Sequence, residues 1–130
     1  DVIRSCGGLK DNAAKLIIGG PMTGPSYYDL AVPVMKATAG LVVLNDAEAR
    51  QLEPIACVSC GKCVEACPYG LLPNFLGKYA ELGRIADAEK TGLMDCRECG
   101  CCSYVCPSRR PLLQAIKSAK AVVAARRRKG

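Results

Sequence analysis

The chain has 130 residues, half of them apolar, which allows one modest core or two very small ones, because short chains bury a smaller share of their surface. No run approaches the roughly 18 consecutive apolar residues of a membrane-spanning helix, and no basic-then-apolar leader opens the chain, so no direct membrane span is expected. The formal charge of +6 would invite a nucleic-acid reading, but it counts ten cysteines as neutral.

In chain order, Val2-Ile3-Arg4-Ser5-Cys6 followed by Gly7-Gly8 reads as the end of a helix, because glycine can take the left-handed conformation that closes a last turn. The chain opens on Asp1 inside that element, so a piece of a longer protein is the expectation. Lys15-Leu-Ile-Ile-Gly19 and Leu41-Val-Val-Leu44 read as strands, separated by the Gly20-Pro21 breaker. Asn45 or Asp46 can cap a short helix through Ala47–Leu52 that Pro54 ends, and the domain boundary is placed there, at residues 50 and 51. Leu71, Leu72, Phe75, Leu76, Tyr79, Leu82 and Ile85 recur at steps of three and four, which predicts a helical insert. Pro111 suits a first helical turn, and Leu112, Leu113, Ile116, Ala119, Val122 and Val123 continue a stripe along a long closing helix.

The cysteines carry the chemistry. Cys57-Val-Ser-Cys60-Gly-Lys-Cys63-Val-Glu-Ala-Cys67-Pro68 is matched 39 residues later by Cys96-Arg-Glu-Cys99-Gly-Cys-Cys102-Ser-Tyr-Val-Cys106-Pro107. Three cysteines at three-residue steps let one loop wrap three corners of a cubane, with amides aimed at its sulfurs and Gly61 and Gly100 permitting close backbone approach. The fourth cysteine comes one residue late and is followed by proline, so in paired motifs it ligates the other cluster. Two [4Fe-4S] clusters are therefore expected, the first on Cys57, Cys60, Cys63 and Cys106 and the second on Cys96, Cys99, Cys102 and Cys67.

Zinc and disulfides are the alternatives. Zinc also uses CxxC knuckles, but four ligands from two knuckles suffice for it, whereas each block here supplies four cysteines, histidine is absent and both blocks end in Cys-Pro. CxxC ladders without a secretion signal favour metal in a reducing, cytoplasmic compartment over disulfides. Eight ligating thiolates around two cores of charge +2 would bring the net charge down to about +2, since ligation deprotonates the cysteines. What remains sits in Arg126, Arg127, Arg128 and Lys129, a solvated helix end favoured by the negative helix pole, and no nucleic-acid partner is expected. Cys101 breaks the spacing and reads as a small packing residue, and Cys6 as a buried one. Lys62, Arg97 and Arg109 are candidates for raising a cluster potential, with plain solvation as the alternative.

Residues 57–73 (CVSCGKCVEACPYGLLP) and 95–113 (DCRECGCCSYVCPSRRPLL) resemble the ferredoxin region of the C subunit of the Rnf electron-transport complex. Upstream, Cys6-Gly-Gly, the stretch from Ala14 to Gly24 and Val32-Pro-Val-Met-Lys-Ala-Thr38 are similar to the end of that subunit's β-grasp domain, so the resemblance spans nearly the whole chain. Tyr69, where methionine is usual, and the basic pair Arg109-Arg110 depart from the pattern. The resemblance implies an α+β fold, with a partial β-grasp-like segment over residues 1–50 and a helical ferredoxin domain with two [4Fe-4S] clusters over residues 51–130.

It also implies a peripheral subunit on the cytoplasmic face of the cell membrane, within a complex that moves electrons between NADH and ferredoxin and couples them to ion translocation. FMN is implied only for a preceding domain. No glycine-rich strand-turn-helix for a flavin or nicotinamide is present in these residues, so the chain reads as an electron-transfer part of an oxidoreductase and not as its catalytic site. Two other readings share the cysteine pattern: a flavin-linked cobalamin reductase, and an assembly module in which the clusters only staple a small fold.

Overall fold

In a computed structural model that describes residues 1–49 and 53–129, the β-branched run around Lys15–Ile18 is the central strand of a small sheet. Helix α1 (Val2–Ser5) leads into it and closes as expected on Gly7 and Gly8, both at positive φ, with the Gly8 amide bonded to the Ile3 carbonyl at 2.9 Å. Strand β1 (Ala13–Ile18) pairs antiparallel with β2 (Ser26–Tyr27) and β3 (Leu41–Asn45), giving the order β2-β1-β3. Leu16 faces Val43 and Ile17 faces Val42 across the β1–β3 ladder, and Leu16 and Ile17 are the buried pair of this unit. Neighbours on a strand point to opposite faces, so both faces of β1 are covered at that point. The short β2 has no counterpart in the sequence reading.

Asn45 ends β3 and caps α2 (Asp46–Ala49): its Oδ1 accepts from the Glu48 amide at 3.0 Å, while Glu48 Oε2 accepts from the Asn45 amide at 3.2 Å. This is a reciprocal capping box. The further course of the predicted helix through residues 50–52 lies outside the described residues.

Two compact units result, Asp1–Gln51 and Leu52–Gly130. The second is helical throughout: α3 (Lys62–Glu65), α4 (Pro73–Glu81), α5 (Ile85–Lys90), a 3₁₀ turn at Leu93–Asp95, α6 (Cys101–Tyr104) and α7 (Leu112–Lys129). Gly83, at φ 68°, breaks the insert into α4 and α5, which cuts the predicted stripe short. Leu76 and Ile85 are buried, but Leu72, Phe75 and Leu82 face solvent. On α7 the stripe holds except at Val122, which is exposed. The main core joins Leu76, Ile85, Ala88, Leu93, Ile116 and Val123, each large side chain worth about 1.5–3 kcal/mol on burial. A second, smaller core places Leu112 between Cys63 and Cys102, one cysteine from each motif. Gly77 lets α7 approach α4 closely, for a Cβ there would lie 2.7 Å from Leu112 Cδ2.

Candidate metal centres

The two motif loops repeat each other in backbone detail. Ser59 and Glu98, each just before the second cysteine of its motif, are non-glycine residues at positive φ, 55° and 59°. Gly61 and Gly100 follow at 78° and 84° and open α3 and α6. Glycine is needed there for that left-handed conformation. After the Cys-Pro pairs the repeat continues: Gly70 (φ 63°) and Arg109 (φ 53°) donate their amides to the carbonyls of Cys67 and Cys106. Non-glycine residues held left-handed cost free energy and cluster where a site requires the geometry.

This folding creates two cavities of about 360 Å³ each, counting their mouths. One is lined by Cys57, Cys60, Cys63 and Cys106, the other by Cys96, Cys99, Cys102 and Cys67, so each takes three cysteines from its own loop and one from the other. All ten cysteines are free thiols. Among the described residues no group of three or more Cys, Asp or Glu side chains is placed to hold a single metal ion. Four cysteines around one cavity, three from one loop and one from the other, are a donor set that fits a cubane core.

The sulfurs are met by donors. The Ser59 amide bonds Cys57 and lowers its pKa against the opposing effect of burial, with the Arg110 guanidinium adding a hydrogen bond and its charge. In the second loop the Glu98 amide donates to Cys96 Sγ at 3.4 Å. Burial pushes the Cys63 thiol up, partly offset by the Asn74 amide, and pushes Cys102 up to about 11 against the Ser103 amide and hydroxyl. A cationic iron core, when bound, would hold these thiols as thiolates.

A larger cavity of about 1380 Å³, counting its open mouth, lies in the first unit beside Ile3, Leu9, Leu41 and Leu44, but it contains no motif cysteine. Cys6 lines it and is exposed, contrary to expectation, because the four-residue α1 buries nothing and the glycines that follow leave its end open. Cys101 lines neither metal cavity; its thiol bonds Cys99, which raises its pKa.

Residues 49–107 match the family of 4Fe-4S dicluster domains. The chain is 42% identical over 129 residues to the C subunit of a Na⁺-translocating ferredoxin:NAD⁺ oxidoreductase complex from Acetobacterium woodii, covering 99% of this chain and 29% of the relative. The C subunit of an ion-translocating oxidoreductase complex from Rhodobacter capsulatus is 40% identical over 92% of the chain and 23% of its own length. Its counterpart in a proton-translocating ferredoxin:NAD⁺ oxidoreductase complex from Clostridium ljungdahlii is 37% identical over 92% of the chain and 26% of its own length. The chain belongs to the Rnf C-subunit family. It spans less than a third of the length of these curated relatives.

In this Rnf segment three side chains meet the motif loops: Arg110, noted from sequence as part of a departure from the family pattern, and Lys120 and Ser103, which the sequence reading passed over. Arg110, mostly buried, lines the first cavity and pairs with Glu81 of α4. Lys120 reaches from α7 to the Cys96 carbonyl at 2.8 Å and to Glu98 Oε1 at 2.6 Å, pinning the second loop. Ser103 Oγ accepts the Leu113 amide at 2.9 Å, capping the start of α7. Of the cations singled out from sequence, Lys62 and Arg109 are exposed, and Arg97 is exposed at the rim of the second cavity. Tyr69 lines that cavity as well. Arg110 stands four residues after Cys106, as Leu71 stands after Cys67.

Proposed function

We propose that the chain is an electron relay of two [4Fe-4S] clusters within an NADH:ferredoxin oxidoreductase that couples electron flow to ion translocation. The observation that carries this is the pair of cavities, each gathering three cysteines of one loop and the fourth of the other. Cys57, Cys60, Cys63 and Cys106 hold the first cluster, and Cys96, Cys99, Cys102 and Cys67 the second. Shared ligation keeps the clusters adjacent, as hopping between them requires, and a purely structural staple would need only one metal site. When bound, the clusters would supply one-electron storage; the chain's residues would hold the sulfurs in place.

The names of the relatives support the wider setting. NADH and ferredoxin are the redox partners of the whole complex, FMN belongs to a region preceding this one, and the chain sits peripherally on the cytoplasmic face of the membrane. Among the described residues no helix is long and apolar enough to cross a membrane. Residues 1–50 are read as the end of a β-grasp domain and residues 51–130 as a helical ferredoxin domain; the three-stranded sheet and the all-helical second unit support that division.

Anaerobically reconstituted protein is expected to hold about eight irons, four per cluster, and to lose its visible absorption on dithionite addition. Bound zinc in place of iron, or clusters that dithionite never reduces, would overturn the relay.

A further inference from the structure

The two cavities are built on one repeated frame, so position-by-position comparison isolates what differs. Cys57 and Cys96 each receive the amide of the residue two ahead, Ser59 or Glu98. Cys63 receives the Asn74 amide, and Cys102 receives the Ser103 amide and hydroxyl. The linings of the two cavities part at one matched position. Four residues after its Cys-Pro cysteine, the first cavity presents Arg110 and the second presents Leu71. Arg110 is only 13% exposed in its side chain, lines the first cavity beside Cys57 and pairs with Glu81.

The second cavity has cations near it, but neither is a buried part of its lining. Arg97 is exposed, where water screens its charge. Lys120 is bound to a backbone carbonyl and neutralised by Glu98. Around them Leu71, Leu76, Leu113 and Ile116 supply an apolar wall. Reduction adds one electron to a cluster and raises its negative charge. A buried guanidinium beside the cluster site stabilises the reduced form, and an apolar wall with a carboxylate at the rim does not.

We propose that Arg110 makes the cluster on Cys57, Cys60, Cys63 and Cys106 the higher-potential of the pair, so that electrons settle there from its partner cluster, and that Glu81 attenuates the effect. This rests on the relay reading above and adds an order to it. The step is a single-electron transfer: the Cys96-side cluster is oxidised by one electron, the Cys57-side cluster is reduced by one, and no proton moves.

The test is a dithionite redox titration of the cluster-loaded protein followed by electron paramagnetic resonance, which resolves the two transitions. In Arg110→Gln the higher potential falls, by on the order of tenfold in its reduction equilibrium or about 59 mV for a one-electron couple, and the lower one stays. Arg110→Lys restores most of the loss. Glu81→Gln, at a largely exposed site, moves the same transition upward and keeps the test decisive should Arg110→Gln lose its cluster. A shift of the lower potential, of both equally, or of neither would overturn the assignment while two reducible clusters left the relay intact. Absence of reducible clusters in the unaltered protein would instead overturn the relay.

Discussion

Arg109 shows how a repeat can be constrained at one copy and relieved at the other. Its counterpart in the first motif is Gly70, and both residues sit at positive φ with the amide returned to the Cys-Pro cysteine. Glycine bears that conformation without a Cβ penalty, and arginine does not. Arg109 is exposed, so its side chain gives little back. Arg109→Gly is expected to stabilise the cluster-loaded protein by about 1 kcal/mol, seen as a higher midpoint for thermal cluster loss. An unchanged or lower midpoint would mean that the arginine makes contacts worth the strain. Cysteines can be separated by the same residue-level logic. Cys101 lines neither cavity, so Cys101→Ser should leave iron content and spectrum intact, whereas Cys102→Ser should cost at least about half of the iron, since four irons go with each cluster.

At the scale of elements, the helices do their work by holding the loops. Lys120 projects from α7 onto the Cys96 carbonyl and Glu98, about two turns of helix beyond the capped start at Leu113, and so ties the second loop to the main core. Lys120→Met removes a charge-assisted bond worth roughly 1.5–3 kcal/mol, and loss of the iron to a chelator should accelerate about tenfold. An unchanged rate would show that this contact does not hold the loop. The helices themselves were legible from periodicity, because α4, α5 and α7 bury residues at steps of three and four. Their ends were less so: Gly83 divides the insert, and Leu72, Phe75 and Leu82 fit the period yet face solvent, since a period fixes a face but not what covers it. The eight cysteines that line the cavities are the eight singled out by spacing, whereas Lys120 and the pairing of Arg110 with Glu81 were hidden because the partners, Glu98 and Glu81, lie 22 and 29 residues away. Neighbouring Arg109, chosen on charge alone, turned outward.

For the whole molecule, the question is what the second unit keeps when its iron is removed. Its main core of Leu76, Leu93, Ile116 and Val123 is apolar and has Cys96 of the second motif packed against it, and the smaller core is Leu112 with Cys63 and Cys102. Those two cysteines stand where the loops pack on each other, and each loop lends its fourth ligand to the other cavity. Loss of either cluster thus frees one cysteine from the opposite loop, which makes the two losses cooperative. A unit of this size has little stability to spare, and metal-binding free energy is folding free energy where the site does not exist in the unfolded chain. Chelation is therefore expected to remove both clusters in one transition, with a parallel fall in the far-ultraviolet helical signal, and readdition of iron and sulfide should restore both together. The first unit takes no ligand from the motifs, and its strand β1 keeps its ladders to β2 and β3 without them. Amide hydrogen exchange should accordingly rise across residues 57–67 and 96–106 on iron removal and stay low at Leu16 and Ile17. Loss of one cluster with full retention of the other would show that the shared cysteines do not couple the halves.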